Sequence, residues 1–298
     1  MSFVVRFSPD LSAWLVDQLD RGSLPGALIE TMVEQRMERP VARAIVDAFL
    51  DARRAGHPVP VESVTVDERT ADYIYETPIL RPGSRIETSD GVVRVAARAE
   101  RPVLALLRDI LSPAECASLI ERARPRLTPS TVMDPGTGRD LVAAHRTSFG
   151  MFFRLGEDTL IARLDRRISE VMNLPVENGE GFQVLFYPTG AINTPHLDFL
   201  QPSSPANQAS IARSGQRVST LIAYLNDVEE GGETVFPSAG WSIAPQPGSA
   251  VYFEYCNHLG QVDSRTVHGS NAVHRGEKWV LTKWMRQRRF VPAGQGGV

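Results

Sequence analysis

The chain has 298 residues, 42% of them hydrophobic, which is enough for one large globular domain or for a domain with an appendage. Its 32 basic and 35 acidic residues give a formal net charge of −3, so no overall positive field favours nucleic acid or an anionic membrane as a partner. With no run of 18 apolar residues, no secretory leader and only two distant cysteines, Cys116 and Cys256, we expect a cytoplasmic protein with reduced thiols.

Residues 1–60 are predicted to form a small helical module. Apolar residues from Leu11 to Leu19, and again from Val41 to Phe49, are spaced as one face of a helix. Arginines and acidic residues nearly balance in this segment, which disfavours a DNA-reading helix-turn-helix. We expect an appendage that packs on the rest of the chain or on a second copy, and the oligomeric state stays open.

Residues 61–100 are predicted to be a crossover with outer strands, because Pro and Gly separate short β-branched runs there. Beyond them, Ser112-Pro-Ala-Glu115 has the pattern of a capping box and predicts the start of a helix. Apolar spacing predicts a second helix over 159–172.

Short strands separated by turns are predicted after Gly181, which indicates a sandwich or barrel. The predicted strands are 182–187, 218–225, 250–255 and 279–284. The Ser- and Gln-rich segment from Gln201 to Gly215 is a candidate mobile lid, with an inert insertion as the alternative.

His196 and Asp198 are the first candidates for chemistry. Side chains two positions apart on a strand share a face, so this pair could bind one metal ion from one side. Two histidines and a carboxylate form the ligand set of non-haem Fe(II) oxygenases. His-X-Asp alone is more often a solvated strand face, and any other histidine could complete the set. The other histidines are His57, His145, His258, His268 and His274.

Lys278 begins an apolar strand on which Val280, Thr282 and Trp284 share its face. A cation on an inward face requires an anionic partner. A dicarboxylic co-substrate would supply one.

Residues from about Arg101 to Arg289 resemble the catalytic domain of prolyl 4-hydroxylase-like Fe(II)/2-oxoglutarate dioxygenases. Seven blocks in the family's order carry the resemblance: Leu111-Ser-Pro-Ala-Glu-Cys116, Arg146-Thr-Ser-Phe-Gly-Met151, Leu174-Pro-Val-Glu-Asn-Gly-Glu-Gly181, Pro195-His-Leu-Asp198, Gln216-Arg-Val218, Tyr224-Leu-Asn-Asp-Val-Glu-Glu-Gly-Gly-Glu-Thr-Val-Phe-Pro237, and Gly276-Glu-Lys-Trp279 with Lys283-Trp284. The resemblance implies a mainly β fold with flanking helices. Residues 101–292 would form a double-stranded β-helix (jelly-roll) core beside the N-terminal helical module.

The resemblance also selects the third metal ligand. The family's 2-oxoglutarate-binding lysine lies ten positions after the distal metal histidine, which matches Lys278 with His268 and excludes His274. It therefore implies that His196, Asp198 and His268 bind Fe(II) and form the catalytic centre. The implied co-substrates are 2-oxoglutarate and O2, with ascorbate as a candidate addition.

Three further residues complete the implied 2-oxoglutarate site. Lys278 would pair with the distal carboxylate, and the hydroxyls of Tyr187 and Thr234 would donate hydrogen bonds to it. Hydrogen bonds to an ionised group contribute about 1.5–3 kcal/mol each.

The implied reaction is hydroxylation of an unactivated C–H bond, coupled to conversion of 2-oxoglutarate to succinate and CO2. Asp198 favours hydroxylation over halogenation, because related halogenases carry a small residue there. Arg217 and Trp284 match family positions near the substrate channel, whereas Asn193 stands where peptidyl-prolyl enzymes commonly carry Tyr.

Three hypotheses follow for the function. A prolyl-peptide hydroxylase predicts an open groove beside Arg217 and Trp284. A hydroxylase of a free amino acid or other small metabolite predicts a closed pocket under residues 201–215. A non-catalytic sensor is disfavoured, because neither a metal ligand nor the lysine is missing.

Overall fold

The computed structural model describes residues 2–55, 57–67, 73–130, 132–133, 140–141, 147–202 and 204–293. Two compact units are present, Met1–Ile74 and Tyr75–Val298. The predicted division into 1–60, 61–100 and 101–292 is a different partition and stays a prediction. No helix among the described residues is long and apolar enough to cross a lipid bilayer.

The described residues of the first unit form three helices and a two-stranded antiparallel sheet. Its elements are β1 (Ser2–Arg6), α1 (Pro9–Asp20), α2 (Pro25–Glu34), α3 (Arg39–Ala55) and β2 (Ser63–Asp67). Leu15, Ile45 and Phe49 are fully buried at its centre. The helices confirm the predicted module. Strand β1 was not predicted, because its partner β2 lies some sixty residues later in the chain and no turn links the two.

The second unit is built on a nine-stranded antiparallel sheet. Its strands are β3 (Arg85–Thr88), β4 (Gly91–Glu100), β5 (Val103–Arg108), β6 (Thr128–Pro129), β9 (Phe149–Phe153), β10 (Phe182–Tyr187), β12 (Arg217–Tyr224), β16 (Ala250–Glu254) and β19 (Lys278–Arg286). Their order in the sheet is β3-β4-β5-β16-β12-β19-β10-β9-β6. Every residue of β19 is buried, since the strand lies between β12 and β10 and both its faces are covered.

A smaller sheet consists of the four strands β11 (Asn193–His196), β14 (Thr234–Phe236), β15 (Trp241–Ile243) and β17 (His268–Ser270). Their order in the sheet is β11-β17-β14-β15. Two further antiparallel pairs lie outside these sheets. One pairs β7 (Val132–Met133) with β8 (Asp140–Leu141), and the other pairs β13 (Glu230–Gly231) with β18 (Val273–Arg275). These antiparallel sheets agree with the predicted jelly-roll core.

The two predicted helices of this unit are confirmed. Helix α4 (Pro113–Ala123) begins with a complete capping box, in which Ser112 and Glu115 satisfy each other's main-chain N–H groups. Helix α5 (Thr159–Met172) is capped by Asp158, whose carboxylate accepts hydrogen bonds from two main-chain N–H groups of its first turn.

Helix α6 (Pro205–Ser214) occupies the segment predicted as a mobile lid. Arg286 donates a hydrogen bond to the carbonyl oxygen of Ser210, and Arg288 donates to that of Ala212 in the last turn, where a helix leaves carbonyl groups without internal partners. No described residue from Gln201 to Gly215 lines the cavity that contains His196. The lid prediction is therefore wrong for the described part of this segment, because the inserted residues form their own helix and are fastened to the end of β19.

Candidate functional site

The structure brings His196, Asp198 and His268 together. The metal-binding atoms of the three side chains lie within 4.8 Å of one another. His196 and His268 are direct register partners of β11 and β17, which explains how residues 72 positions apart meet. Asp198 lies two residues beyond the end of β11, so the prediction that it shares a strand with His196 was wrong. The carboxylate still reaches both rings, at 3.6 Å from His196 Nε2 and 3.8 Å from His268 Nε2.

Neighbouring groups orient each of the three candidate ligands. Nδ1 of His196 lies 3.0 Å from the carbonyl oxygen of Thr194, and Nδ1 of His268 lies 3.0 Å from that of Thr266. When Nδ1 donates to a carbonyl, the lone pair is on Nε2, which faces the carboxylate. Thr220 on β12 donates to Asp198 Oδ2 at 2.8 Å.

Burial and charge favour the metal-binding forms of the buried pair. Burial lowers the pKa of His268 to about 4, which keeps this imidazole neutral. Burial alone would raise the pKa of the Asp198 carboxyl, but His268, His196, Arg217 and the Thr220 hydroxyl together hold it below its usual range. Two imidazoles and one carboxylate on one side of a cavity fit the predicted iron, with room left for other ligands. Their role as ligands stays a prediction.

Lys278 lies in the same cavity, at the start of β19. Only 2% of its surface is exposed, and its ammonium donates to Ser270 Oγ at 2.9 Å and to Thr234 Oγ1 at 3.4 Å. Thr234 and Ser270 are register partners of β14 and β17, so the smaller sheet presents two hydroxyls to the ammonium. The Tyr187 ring lies 5.5 Å from the same ammonium and is 3% exposed.

Burial lowers the pKa of Lys278 to about 7. The group has hydroxyl partners but no carboxylate within ion-pair distance among the described residues. A buried ammonium of this kind is stabilised by an anion that enters the cavity. The arrangement therefore suits a ligand that carries a carboxylate at this end.

All nine predicted site residues line one cavity of about 850 Å³. The predicted face of β19 is confirmed, since Lys278, Val280, Thr282 and Trp284 all contribute to it. His57 and His258 do not line it, and His145 and Arg146 lie outside the described residues. His274 is exposed on β18 and is absent from both the histidine–carboxylate cluster and the cavity wall.

Arg217 is held firmly in the cavity wall. Its Nε and Nη2 groups each donate to the Glu180 carboxylate at 2.8 Å, and Nη1 donates to the carbonyl oxygen of Asp198 at 3.2 Å. The guanidinium lies 4.1 Å from the centre of the Trp284 ring. Because three of its roughly five N–H donors are already used, this side chain can offer few hydrogen bonds to a ligand. Asn193 is half-buried on β11.

The cavity extends beyond the triad to the edge of the large sheet. Thr128 and Pro129 of β6 and Phe152 of β9 line this part, and Phe152 is 56% exposed. Neighbouring strands are spaced about 4.8 Å apart, so the three steps from β19 to β6 span roughly 14 Å. That length corresponds to about four residues of extended chain.

Sequence reasoning missed several polar residues of this cavity or its wall. Among them are Glu180, Gln183, Thr220 and Ser270. The alternation of β10 could have found Gln183, which shares a face with Tyr187. Thr220, Glu180 and Ser270 carry no local signal, because their roles depend on partners in other strands.

Comparison with known proteins assigns these residues to a family. Residues 182–286 match a family model described as the 2OG-Fe(II) oxygenase superfamily. Prolyl 4-hydroxylase 1 of Arabidopsis thaliana is 42% identical over 202 residues, covering 63% of this chain and 70% of the plant protein. Probable prolyl 4-hydroxylase 10 of the same plant is 36% identical over 208 residues, with the same two shares.

A solved viral structure is also similar. The collagen prolyl hydroxylase of Paramecium Bursaria Chlorella virus-1, in complex with 2OG, has a TM-score of 0.49 and 27% sequence identity, covering 61% of this chain and 95% of the viral chain. The range matched by the family model contains all nine predicted site residues.

Proposed function

The chain belongs to the prolyl 4-hydroxylase-like enzymes of the 2OG-Fe(II) oxygenase superfamily, and on this premise we propose that it hydroxylates a prolyl residue of an extended peptide. It is an oxidoreductase of the dioxygenase class. Enzymes of this superfamily use Fe(II), 2-oxoglutarate and O2. The reaction on this chain would convert 2-oxoglutarate to succinate and CO2 as the prolyl C–H bond is hydroxylated.

The single observation that carries the peptide proposal is the length of the cavity. It runs from the triad past β10 and β9 to Thr128 and Pro129 at the sheet edge. A free amino acid would occupy only the part beside the triad. An extended peptide would occupy the whole length, with the exposed Phe152 ring offering apolar contact to a flanking residue.

The residues divide the work between the two ends of the cavity. His196, Asp198 and His268 would hold Fe(II). When bound, this metal would activate O2 for the oxidation of the 2-oxo acid and the substrate. Lys278 would bind the distal carboxylate and so fix the orientation of the co-substrate. Thr220 keeps Asp198 turned toward the two histidines. Arg217 and Trp284 would shape the wall on which the substrate ring rests.

If the substrate were a free amino acid or another small metabolite, the sequence predicts a pocket closed by residues 201–215. The described part of that segment lies outside the cavity wall, so this support for the alternative is lost. Asn193 in place of an aromatic residue leaves less ring contact for a proline, which we expect to raise the KM for peptide rather than to exclude it.

A direct test compares a proline-rich peptide with free proline under identical conditions. We expect succinate release and a mass gain of one oxygen atom with the peptide, and only uncoupled background turnover with free proline. Hydroxylation of free proline at an equal or higher kcat/KM would overturn the peptide proposal. A Thr220→Val variant is a useful companion, because it should lower kcat while leaving the preference between the two substrates unchanged.

The binding of 2-oxoglutarate should depend on pH through Lys278. Since burial lowers the pKa of Lys278 to about 7 in the free protein, an anion that favours the charged form must raise this pKa on binding. Affinity should be highest below about pH 7 and fall by up to roughly tenfold per pH unit above it. Anaerobic calorimetry in two buffers of different ionisation enthalpy would measure the accompanying proton uptake.

A Lys278→Arg variant is the control for this pH dependence. Its guanidinium stays charged across the range, so weaker but pH-independent binding is expected. An unchanged slope in Lys278→Arg would assign the pH dependence to another group.

A further inference from the structure

The only two lysines in the sequence are Lys278 and Lys283, and both lie on β19. Lys278 faces the cavity, whereas Lys283 is on the opposite face of the strand by period two. Lys283 is 0% exposed and its ammonium lies 2.7 Å from Asp165 of α5, which is 1% exposed. A buried ion pair of this kind contributes little net stability to the fold, because the cost of desolvating the two charges offsets their attraction.

Lys283 makes a second hydrogen bond that leads back to the cavity. Its ammonium donates to the carbonyl oxygen of Glu180 at 2.6 Å, while the Glu180 N–H donates to the carbonyl of Trp284 at 3.0 Å. Both main-chain groups of Glu180 are thus fixed by β19. The neighbouring Gly179 permits this approach, because a Cβ there would lie 2.4 Å from Lys283 Cε.

The Glu180 side chain connects its fixed main chain to the cavity wall through hydrogen bonds. Its carboxylate accepts two hydrogen bonds from Arg217 at 2.8 Å each and a third from Arg286 at 3.1 Å. Arg217 in turn donates to the Asp198 carbonyl and covers the Trp284 ring. A continuous chain of short polar contacts therefore joins α5, behind the sheet, to Asp198, two residues beyond the strand of His196.

We propose that Lys283 and Asp165 are positioning residues, which fix Glu180 and through it the orientation of Arg217 in the substrate part of the cavity. The inference rests on the proposed function only in naming that part of the cavity as the place where the prolyl peptide binds. A lysine suits the task, because one compact ammonium can donate to a carboxylate and a carbonyl at once. Apart from these two lysines and the histidines, every basic residue of the chain is an arginine.

The decisive variant is Asp165→Asn with Lys283→Met, which removes both charges together and so avoids leaving one of them buried alone. The Glu180 carbonyl then loses its donor. We expect hydrogen exchange at the Arg217 Nε–H, followed by NMR on the metal-free protein, to accelerate about tenfold or more, the effect of losing one charge-assisted hydrogen bond. The signal is assigned by its disappearance in Arg217→Lys. This readout requires no substrate, so it stands even if the peptide proposal fails.

The kinetic prediction is a rise in KM for the peptide. The double variant should increase it about tenfold, with kcat and the KM for 2-oxoglutarate changed by less than about twofold. Gly179→Ala should give the same pattern, since a Cβ there displaces the lysine. Glu180→Gln should then be combined with the double variant. The combined rise in KM should be well below the product of the rise from Glu180→Gln alone and the rise from the double variant alone, because the pair acts through Glu180.

A matched control is Glu115→Gln with Arg167→Met. This pair is also largely buried, at 8% and 12% exposed, and also involves α5, but it does not contact Glu180. It should lower the Tm without changing the Arg217 exchange rate or the KM for peptide. The positioning role would be overturned if the two double variants changed the Arg217 exchange rate and the KM for peptide equally. It would also be overturned if the effects of Glu180→Gln and of the Asp165/Lys283 double variant on KM multiplied. Lys283 and Asp165 would then form only a packing contact.

Discussion

Replacing His268 with alanine should abolish turnover that depends on 2-oxoglutarate. The metal would keep only His196 and Asp198 as protein ligands. His268 is only 3% exposed, so its removal would leave a buried position without a ligand atom. Loss of a group one step further from a metal already costs about 10–100-fold in metal affinity or activity, so loss of a direct ligand should exceed that range. An anaerobic titration with Fe(II) and 2-oxoglutarate measures this directly, through the visible absorption band of their complex.

His274→Ala is the matched control for this experiment. It removes the same side chain six positions later, from an exposed site on β18 outside the cavity wall. The absorption band should persist with nearly unchanged affinity and turnover. A band lost in His274→Ala and kept in His268→Ala would contradict the assignment of the third ligand and the register on which it depends.

Much of the fold follows from local patterns in the sequence. The capping box at Ser112 and the apolar stripe of α5 are each contained within about fourteen residues, and both helices form where they were predicted. Strand β10 was predicted with the bounds Phe182–Tyr187 that the structure has. These elements succeed because propensity, capping and burial all favour the same conformation.

Local patterns fail where the decisive partner is distant in the chain. Strand β1 depends on β2, and the conformation at Asp198 depends on Thr220 and Arg217 rather than on continued strand pairing. The segment from Gln201 to Gly215 has a loop-like composition, but Pro205–Ser214 form α6, and Arg286 and Arg288 donate hydrogen bonds to carbonyl groups of this helix.

The cavity-facing side of β19 was predicted correctly, unlike the irregular parts of the fold. Strand alternation placed Lys278, Thr282 and Trp284 on one face, and the structure confirms that face as a cavity wall. The family resemblance supplied the register between His268 and Lys278, which composition could not. Glu180 was missed because its importance arises from Arg217 on another strand and Lys283 on the far side of the sheet. A single sequence contains no record of such pairings.

Lys278→Met should weaken 2-oxoglutarate binding by about two orders of magnitude or more. The variant removes the cation and its charge-assisted hydrogen bonds to the distal carboxylate, each of which contributes about 1.5–3 kcal/mol. Methionine is close in length and apolar, so the fold should persist, and the Tm should not fall, because a buried ammonium without an ionic partner is itself unfavourable.

The cleanest measurement pairs this variant with 2-oxopentanoate, which keeps the chelating 2-oxo acid but carries a methyl group in place of the distal carboxylate. Wild type should prefer 2-oxoglutarate strongly, whereas Lys278→Met should bind the two acids with similar affinity, because an apolar side chain then meets either end group. The four dissociation constants form a cycle whose coupling measures the contact between the ammonium and the carboxylate. An equal preference for 2-oxoglutarate in both proteins would show that another group binds the distal carboxylate, and Arg217 would be the next residue to test, since it is the other cation in the cavity wall that is more than four-fifths buried.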